Sequence, residues 1–345
     1  MNKITKIGVS ALCGSLASVA AANAGTLAVT GGATATWSSL SGQSTGNPLG
    51  LNSALGLSGS GELDNGGTFS LSLNHTDQVA WSGAQIAITL PGLGTIRIDN
   101  GTGTGLDRVD DLMPTAWEET WGTALGTGIQ TVGGAGNNTD IEWAVGDDIL
   151  PGGMNAYFSY SPKADGSGAT DKSVGGDANA TAGSGWDVVL RSTGGMAEGL
   201  DAWVGYSKIE QHQPAAGGTK NGDRAQQAIG ATYALGSVTI GYQLSRDALH
   251  DNLPGGVNFY DNEAYGVSFA INDDLTISYG SHKSSKHVQD ANSTVELEAK
   301  SLQLSYTMGG ASIKIAETSA DNVNYNNDGS TFDRDGTTVA LSLAF

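Results

Sequence analysis

The chain has 345 residues, with 16 basic and 35 acidic side chains, a formal net charge of −19, 52 glycines, 7 prolines and a single cysteine. That acidity argues against a nucleic acid or an anionic surface as partner, since both require a cationic footprint. One cysteine excludes a disulfide framework, and the glycines follow no collagen-like period.

The first residues read as an export signal. Residues 1–6 (MNKITK) are basic, an apolar run without acids extends from Ile7 to Ala22, and Ala22-Asn23-Ala24 fits a small-residue cleavage site. Residues 1–24 are thus expected to be removed, leaving a chain from 25 to 345 that holds 14 basic and 35 acidic residues, a net charge of −21. Cys13 lies inside the signal behind Leu12, where a lipoprotein signal places a small residue, so no lipid anchor is expected. No later stretch reaches the ~18 consecutive apolar residues of a transmembrane helix. A membrane-spanning β-barrel is not excluded, because its strands are short and alternate apolar with polar.

That alternation recurs along the mature chain. Val238, Ile240, Tyr242 and Leu244 share one face of their segment, opposite Thr239, Gly241 and Gln243. Tyr265, Val267, Phe269 and Ile271, and then Leu275, Ile277 and Tyr279, repeat the pattern. A period of two is the strand signal, because successive side chains leave opposite faces of a sheet. Sixteen segments qualify: 26–37, 53–62, 67–75, 84–90, 94–99, 139–145, 154–161, 185–192, 200–208, 225–235, 237–245, 263–271, 274–282, 294–308, 311–318 and 336–345. Short links at 91–93, 236, 272–273 and 309–310 alternate with long polar ones at 38–52, 100–138, 162–184, 209–224, 246–262, 283–293 and 319–335. This asymmetry predicts an all-β, antiparallel up-and-down transmembrane barrel with both termini on one side. One face is small and polar (Thr30, Thr34, Thr36, Ser70, Ser72, Thr239, Gln243, Ser268, Thr276, Ser278), as a wet lumen requires. The other carries aromatics near strand ends (Trp37, Trp143, Tyr160, Tyr233, Tyr279), as an interfacial girdle does. Glu296, Glu298 and Lys300 predict that their strand continues beyond the membrane.

The longest gap, 100–138, follows the fifth strand and holds Asp107, Asp110, Asp111, Glu118 and Glu119, with Asp99 at its entry, against Arg108 alone. A gap of this length inside a compact domain is a functional or disordered loop. Leu106, Val109 and Met113 stand near helical spacing, which predicts a short helical turn pressed on a wall with the acids left to line a passage. Charged rings of this kind set ion preference in pores. Strand parity turns Arg97, Arg191 and Lys314 inward as the basic wall, with Arg108 paired inside its own loop. The imbalance predicts a preference for cations.

Enzyme-like patterns do not hold. Residues 101–105 (GTGTG) lack the dinucleotide spacing and a βαβ unit. The five histidines (His75, His212, His250, His282, His287) show no metal-ligand spacing and read as surface residues. Glu118 and Glu119 are adjacent, so spacing assigns them no acid and base roles. No catalytic or metal residue and no cofactor is expected. Residues 321–328 and 333–335 supply oxygen ligands suited to Ca²⁺ without a complete EF-hand loop, so a structural Ca²⁺ is a minor expectation.

The final strand alternates to the last residue, with Val339, Leu341, Leu343 and Phe345 on one side. This ending resembles the assembly signal of Gram-negative outer-membrane barrels, although Leu343 stands where many members carry an aromatic. Residues 265–279 (YGVSFAINDDLTISY) resemble strand–turn–strand segments of trimeric general porins, particularly alphaproteobacterial ones, and 94–99 (GTIRID) resembles the strand entering their constriction loop. The resemblance implies a water-filled channel for ions and small hydrophilic solutes, an inward-folded third long loop, and a homotrimer in outer-membrane lipid. It also implies insertion by the outer-membrane assembly machinery. Two alternatives stand beside it: a secreted Gly-rich β protein such as an adhesin, and a substrate-specific channel binding a nutrient between the loop acids and Trp117 or Trp121.

Overall fold

Alternating apolar and hydroxyl side chains give each segment one face for lipid and one for water, and pairing every edge removes the unsatisfied backbone groups a membrane cannot tolerate. A computed structural model describes residues 26–42, 46–76, 80–123, 125–136, 139–146, 149–150, 153–164, 182–211, 222–251, 255–289, 293–327 and 332–344. The expected signal, residues 1–24, and the terminal Phe345 lie outside the described residues.

Sixteen strands form one closed antiparallel barrel: β1 (Leu27–Ser41), β2 (Leu49–Glu62), β3 (Thr68–Thr76), β4 (Ala80–Leu90), β5 (Gly94–Asn100), β6 (Thr139–Val145), β7 (Met154–Ser161), β8 (Ala182–Thr193), β9 (Leu200–Gln211), β10 (Arg224–Leu235), β11 (Val238–Ala248), β12 (Val257–Ala270), β13 (Leu275–Val288), β14 (Thr294–Met308), β15 (Ala311–Asp321) and β16 (Arg334–Ala344). Each strand pairs with its sequence neighbours, and β1 pairs with β16, Gly32 opposite Ala344, to close the cylinder. Among the described residues no helix is long and apolar enough to cross a membrane.

All sixteen expected strands are present, and most of those that differ are longer at the long-loop end. β9 runs on to Gln211, β13 to Val288 and β15 to Asp321. Beyond the apolar band both faces meet water, so the period-two signal fades while the hydrogen-bonded ladder continues. Ion pairs on the outer surface mark that height: Arg246 with Asp261 at 2.5 Å and Lys300 with Glu298 at 2.8 Å. Below them Ile86, Ile98, Ile229, Leu302, Leu341 and Leu343 are exposed to the surroundings of the barrel, with Trp37, Trp143, Tyr160, Tyr233 and Tyr279 toward its rims. Trp143 stacks on Phe158 and donates from Nε1 to the Leu93 carbonyl at 2.9 Å, fixing one rim aromatic at a short turn.

The wall is uneven in height. β5 and β6 have 7 residues each, whereas β12 and β13 have 14 and β14 has 15. The long segment between β5 and β6 therefore leaves from the low side and folds into the cylinder.

Candidate functional site

The inward loop is built around a 3-10 helix, Gly105–Val109, whose Leu106 and Val109 are fully buried against Val132, Val189, Trp203 and Ala228, with Leu112, Met113 and Tyr157 alongside. The helical turn expected from Leu106, Val109 and Met113 is thus short and pressed on β7–β10. Farther on, Leu125 packs with Ala299, Ala320 and Val323, and Trp121 joins that cluster, edge-on to His282 with ring centroids 4.6 Å apart. Trp121 is therefore structural. So is His282, 2% exposed on β13 beneath the loop, which corrects its assignment as a surface histidine.

Polar side chains of the wall hold the loop by its backbone. Asp187 of β8 accepts from the amides of Leu106 at 3.0 Å, Ala135 at 3.0 Å and Gly136 at 3.0 Å, tying the two ends of the loop to one carboxylate. Glu142 of β6 accepts from the Gly105 amide at 2.9 Å, and Asp140 from the Thr104 hydroxyl at 2.7 Å. Gly134 donates to Gln226 at 2.5 Å and Ala116 to Ser278 at 2.8 Å. Gln303 of β14 clasps the tip: its Oε1 takes the amides of Trp117 and Glu118 at 3.0 and 3.1 Å, and its Nε2 donates to the Glu118 carbonyl at 2.8 Å. Arg334 donates to the Leu125 and Gly126 carbonyls at 2.8 Å.

Glycines make room for this contact. Gly241, Gly266 and Gly280 face inward in register across β11, β12 and β13. A Cβ would lie 2.5 Å from Pro114 Cδ at Gly241, 2.8 Å from the Pro114 carbonyl oxygen at Gly266 and 2.6 Å from Thr120 Oγ1 at Gly280. Valine at both 241 and 266 would suit a strand but not the loop lying on it. The expected result of Gly241→Val with Gly266→Val is a folded barrel whose loop tip is lifted, read as raised and noisier single-channel conductance and protease sensitivity near Pro114.

The site residues expected from the sequence fall into three groups. Asp99 does not line the passage: it is 1% exposed, accepts from Gln85 Nε2 at 2.9 Å and from the Thr102 amide at 3.0 Å, and caps the first turn of the loop. Asp107, Asp110, Glu118 and Glu119 are half-buried on the loop and Asp111 is exposed, so these five carry the acidity of its free surface. The basic wall is largely cancelled. Arg97 pairs with Glu142 at 2.8 Å, and Arg191 binds Asp201 through Nε at 2.9 Å and Nη2 at 2.5 Å. Arg108 pairs with Glu142 at 2.5 Å, on the wall and not within its own loop, and lies over the Tyr157 ring at 4.2 Å. Lys314 remains without a carboxylate in ion-pair contact among the described residues, its Nζ 6.0 Å from the Trp117 ring centroid.

Opposite the loop the wall is neutral. Among the described residues of β1–β4, Glu62 at the short-turn end is the only Asp, Glu, Lys or Arg. A cavity of about 650 Å³ lies against this wall, lined by residues that include Thr30, Thr34, Asn52, Asn74, Thr76 and Ser342, with Lys314 reaching it from β15. Thr34 and Ser342 share a hydrogen bond at 2.9 Å, as do Ser38 and Thr338 at 3.3 Å, so hydroxyls tile this surface.

Burial, with repulsion from Asp111, Asp187 and Asp99, raises the Asp107 carboxyl to about 6. Burial, with repulsion from Asp107, Asp111 and Glu119, raises Asp110 to about 8. Both acids favour their neutral form in the docked loop. Their contribution to docking is therefore complete below the ordinary carboxylate range and is lost as pH rises through about 6 and then about 8. The same titration adds negative charge to the passage. On acidification from above 8 to below 6, the loop is expected to lose negative charge while its amide exchange slows, read by electrophoretic titration and hydrogen exchange.

A family model described as Gram-negative porin matches residues 8–345. The chain belongs to the Gram-negative porins. It is an outer-membrane channel, with its strands crossing the bilayer and its acidic loop inside the lumen. Solved structures share the fold at low identity. An anion-selective porin from Comamonas acidovorans has a TM-score of 0.63 and 16% identity, over 93% of this chain and 99% of that one. Salmonella typhi OmpF, in complex with daunomycin, has 0.67 and 14%, over 92% and 97%. Outer-membrane-expressed OmpT of Vibrio cholerae has 0.66 and 12%, over 94% and 99%. No curated protein matched the chain.

The loop of this porin is visible in the sequence, but its anchors Asp140, Glu142, Asp187, Gln226 and Gln303 are not. The one available signal was Asp140 and Glu142, two acids on the same inward face of a 7-residue strand.

Proposed function

We propose that this porin passes ions and small hydrophilic solutes by passive diffusion, with a preference for cations. One observation carries the sign: five acids on the free surface of the loop face a hydroxyl wall with Lys314 alone beside it, while Arg97, Arg108 and Arg191 are each held by a carboxylate. The anion-selective porin among the similar structures means that the shared barrel does not decide the sign. Local charge balance does. A diffusion channel has no catalytic step, and none is assigned to these residues.

The uneven wall favours a homotrimer. A 7-residue strand spans about 23 Å, and at a tilt of about 40° covers only about 18 Å of the ~25 Å apolar band. A neighbouring subunit against β5 and β6 would spare the bilayer from thinning there. Export through residues 1–24 and recognition of the terminal strand by the assembly machinery, with Val339, Leu341, Leu343 and Phe345 on one side, complete this reading. Purified protein in a planar bilayer is expected to give ohmic steps that scale with salt and close in three equal levels. Steps that never appear, or that close as one level, would contradict the channel or the trimer respectively.

A further inference from the structure

We propose that the connection between β15 and β16 straps down the second half of the constriction loop, and that Tyr325 is the positioning residue through which it sets the size limit of the passage. The inference rests on the channel reading but not on the sign of its selectivity. Asp187 holds the two ends of the loop and Gln303 its tip, which leaves the return stretch 125–130 to be placed by other groups. The residues after β15 supply them. The Asn324 amide donates to the Thr127 carbonyl at 2.9 Å. The Tyr325 hydroxyl accepts from the Gln130 amide at 2.8 Å and donates to Ser284 Oγ of β13 at 2.7 Å, so one phenol joins loop, connection and wall. Arg334, the first residue of β16, closes the connection on the Leu125 and Gly126 carbonyls. Val323 shares a buried cluster with Leu125, and Ile129 packs against the cluster that holds Tyr325.

The backbone of the connection leaves its ordinary range to make these contacts. Asn322, Asn324 and Tyr325 have φ of +55°, +56° and +56°, in the left-handed region. Asparagine tolerates that region, but a bulky residue there is an outlier that persists only where its surroundings over-determine it, and such residues gather at functional sites. Here the surroundings include the loop itself, so each element fixes the other. Gly128 is the reciprocal contact: its φ is +72°, and a Cβ on it would lie 2.2 Å from Asn324 Oδ1. Gly126 and Gly128 are exposed within the barrel, between the buried Leu125 and Thr127. This stretch therefore borders the lumen with backbone and no charged side chain. Releasing it widens the passage without changing the charge that ions meet.

The test combines hydrogen exchange with single-channel recording on the purified channel. Tyr325→Phe keeps the ring and removes the bridging hydroxyl, so the Gln130 and Asn324 amides are expected to exchange about tenfold faster together, as the loss of a buried hydrogen bond allows. The amides of Leu106 and Ala135 should keep their protection. The same variant should admit larger neutral polyethylene glycols, with its reversal potential in a KCl gradient unchanged. Gly128→Val reaches the contact from the loop side and should release the Asn324 amide as well, because coupling between two elements is reciprocal. Exchange that accelerates equally at Leu106 and Ala135 would overturn the strap in favour of a loop that undocks as one body. Unaltered exchange at Gln130 and Asn324 would show that the wall holds this stretch without Tyr325, and an unaltered polymer limit would show that the strap does not set the size of the passage. Absence of conductance altogether would defeat the channel reading, while the exchange measurement still decides whether the strap exists.

Discussion

Asp187→Ala is expected to undock the constriction loop without unfolding the barrel. Asp187 is 1% exposed and receives three loop amides, from Leu106, Ala135 and Gly136. Removing the carboxylate leaves those donors buried and unpaired, at about 1–3 kcal/mol each and less than additively, so docking should weaken by on the order of 4 kcal/mol. The packing around it allows no substitute. Gly105 and Gly134 have φ of +56° and +65°, and a Cβ on either would lie 2.2 or 2.4 Å from Asp187 Oδ2. The strands keep their own ladder, so the protein should still migrate as a heat-modifiable barrel. Its conductance should rise and become noisy, and amides 105–136 should lose protection. Asp187→Asn retains one acceptor oxygen and should lie between the two. Wild-type conductance in Asp187→Ala would show that the apolar contacts of Leu106 and Val109, with the remaining anchors such as Glu142, Gln226 and Gln303, hold the loop without Asp187.

The second large effect concerns the neutral wall. Thr34 and Asn52 are register partners on β1 and β2, and both line the passage. Thr34→Arg with Asn52→Arg puts two cations there. A unit charge about 8 Å from the ion path contributes about 0.5 kcal/mol in water, with opposite sign for K⁺ and Cl⁻. After screening, two such charges should shift the ratio of their permeabilities about fivefold toward the anion. Thr34→Gln with Asn52→Gln occupies similar space without charge, so it should lower conductance and leave the sign unchanged. An unaltered ratio in the arginine variant would mean that the wall does not share the ion path with the loop.

The barrel was legible because a period of two is imposed by lipid on one side and water on the other, which any strand such as β11 or β13 must obey. The constriction loop was legible as a gap that no strand or helix fills. Its charge balance was not. Arg97 and Glu142 are direct register partners, but the residues between β5 and β6 hide a pairing that a tight hairpin would have revealed. Asp187 and Gln303 look like any lumen-facing polar residue until the loop backbone is laid against them. The glycines Gly241, Gly266 and Gly280 come into line only once the strands are paired, so their shared role as a bed for Pro114 and Thr120 lies in no single segment. The one-dimensional pattern therefore reports the faces of strands, while contacts between loop and wall depend on register.

The central claim is that an acidic loop facing a neutral wall makes the passage electronegative. It is tested most directly by the reversal potential of the wild-type trimer in a KCl gradient at pH above 8, where Asp107 and Asp110 are both ionised. A potential of the sign set by K⁺ is expected, shrinking as the pH is brought below 6. A potential of the sign set by Cl⁻, or one independent of pH across that range, would contradict it.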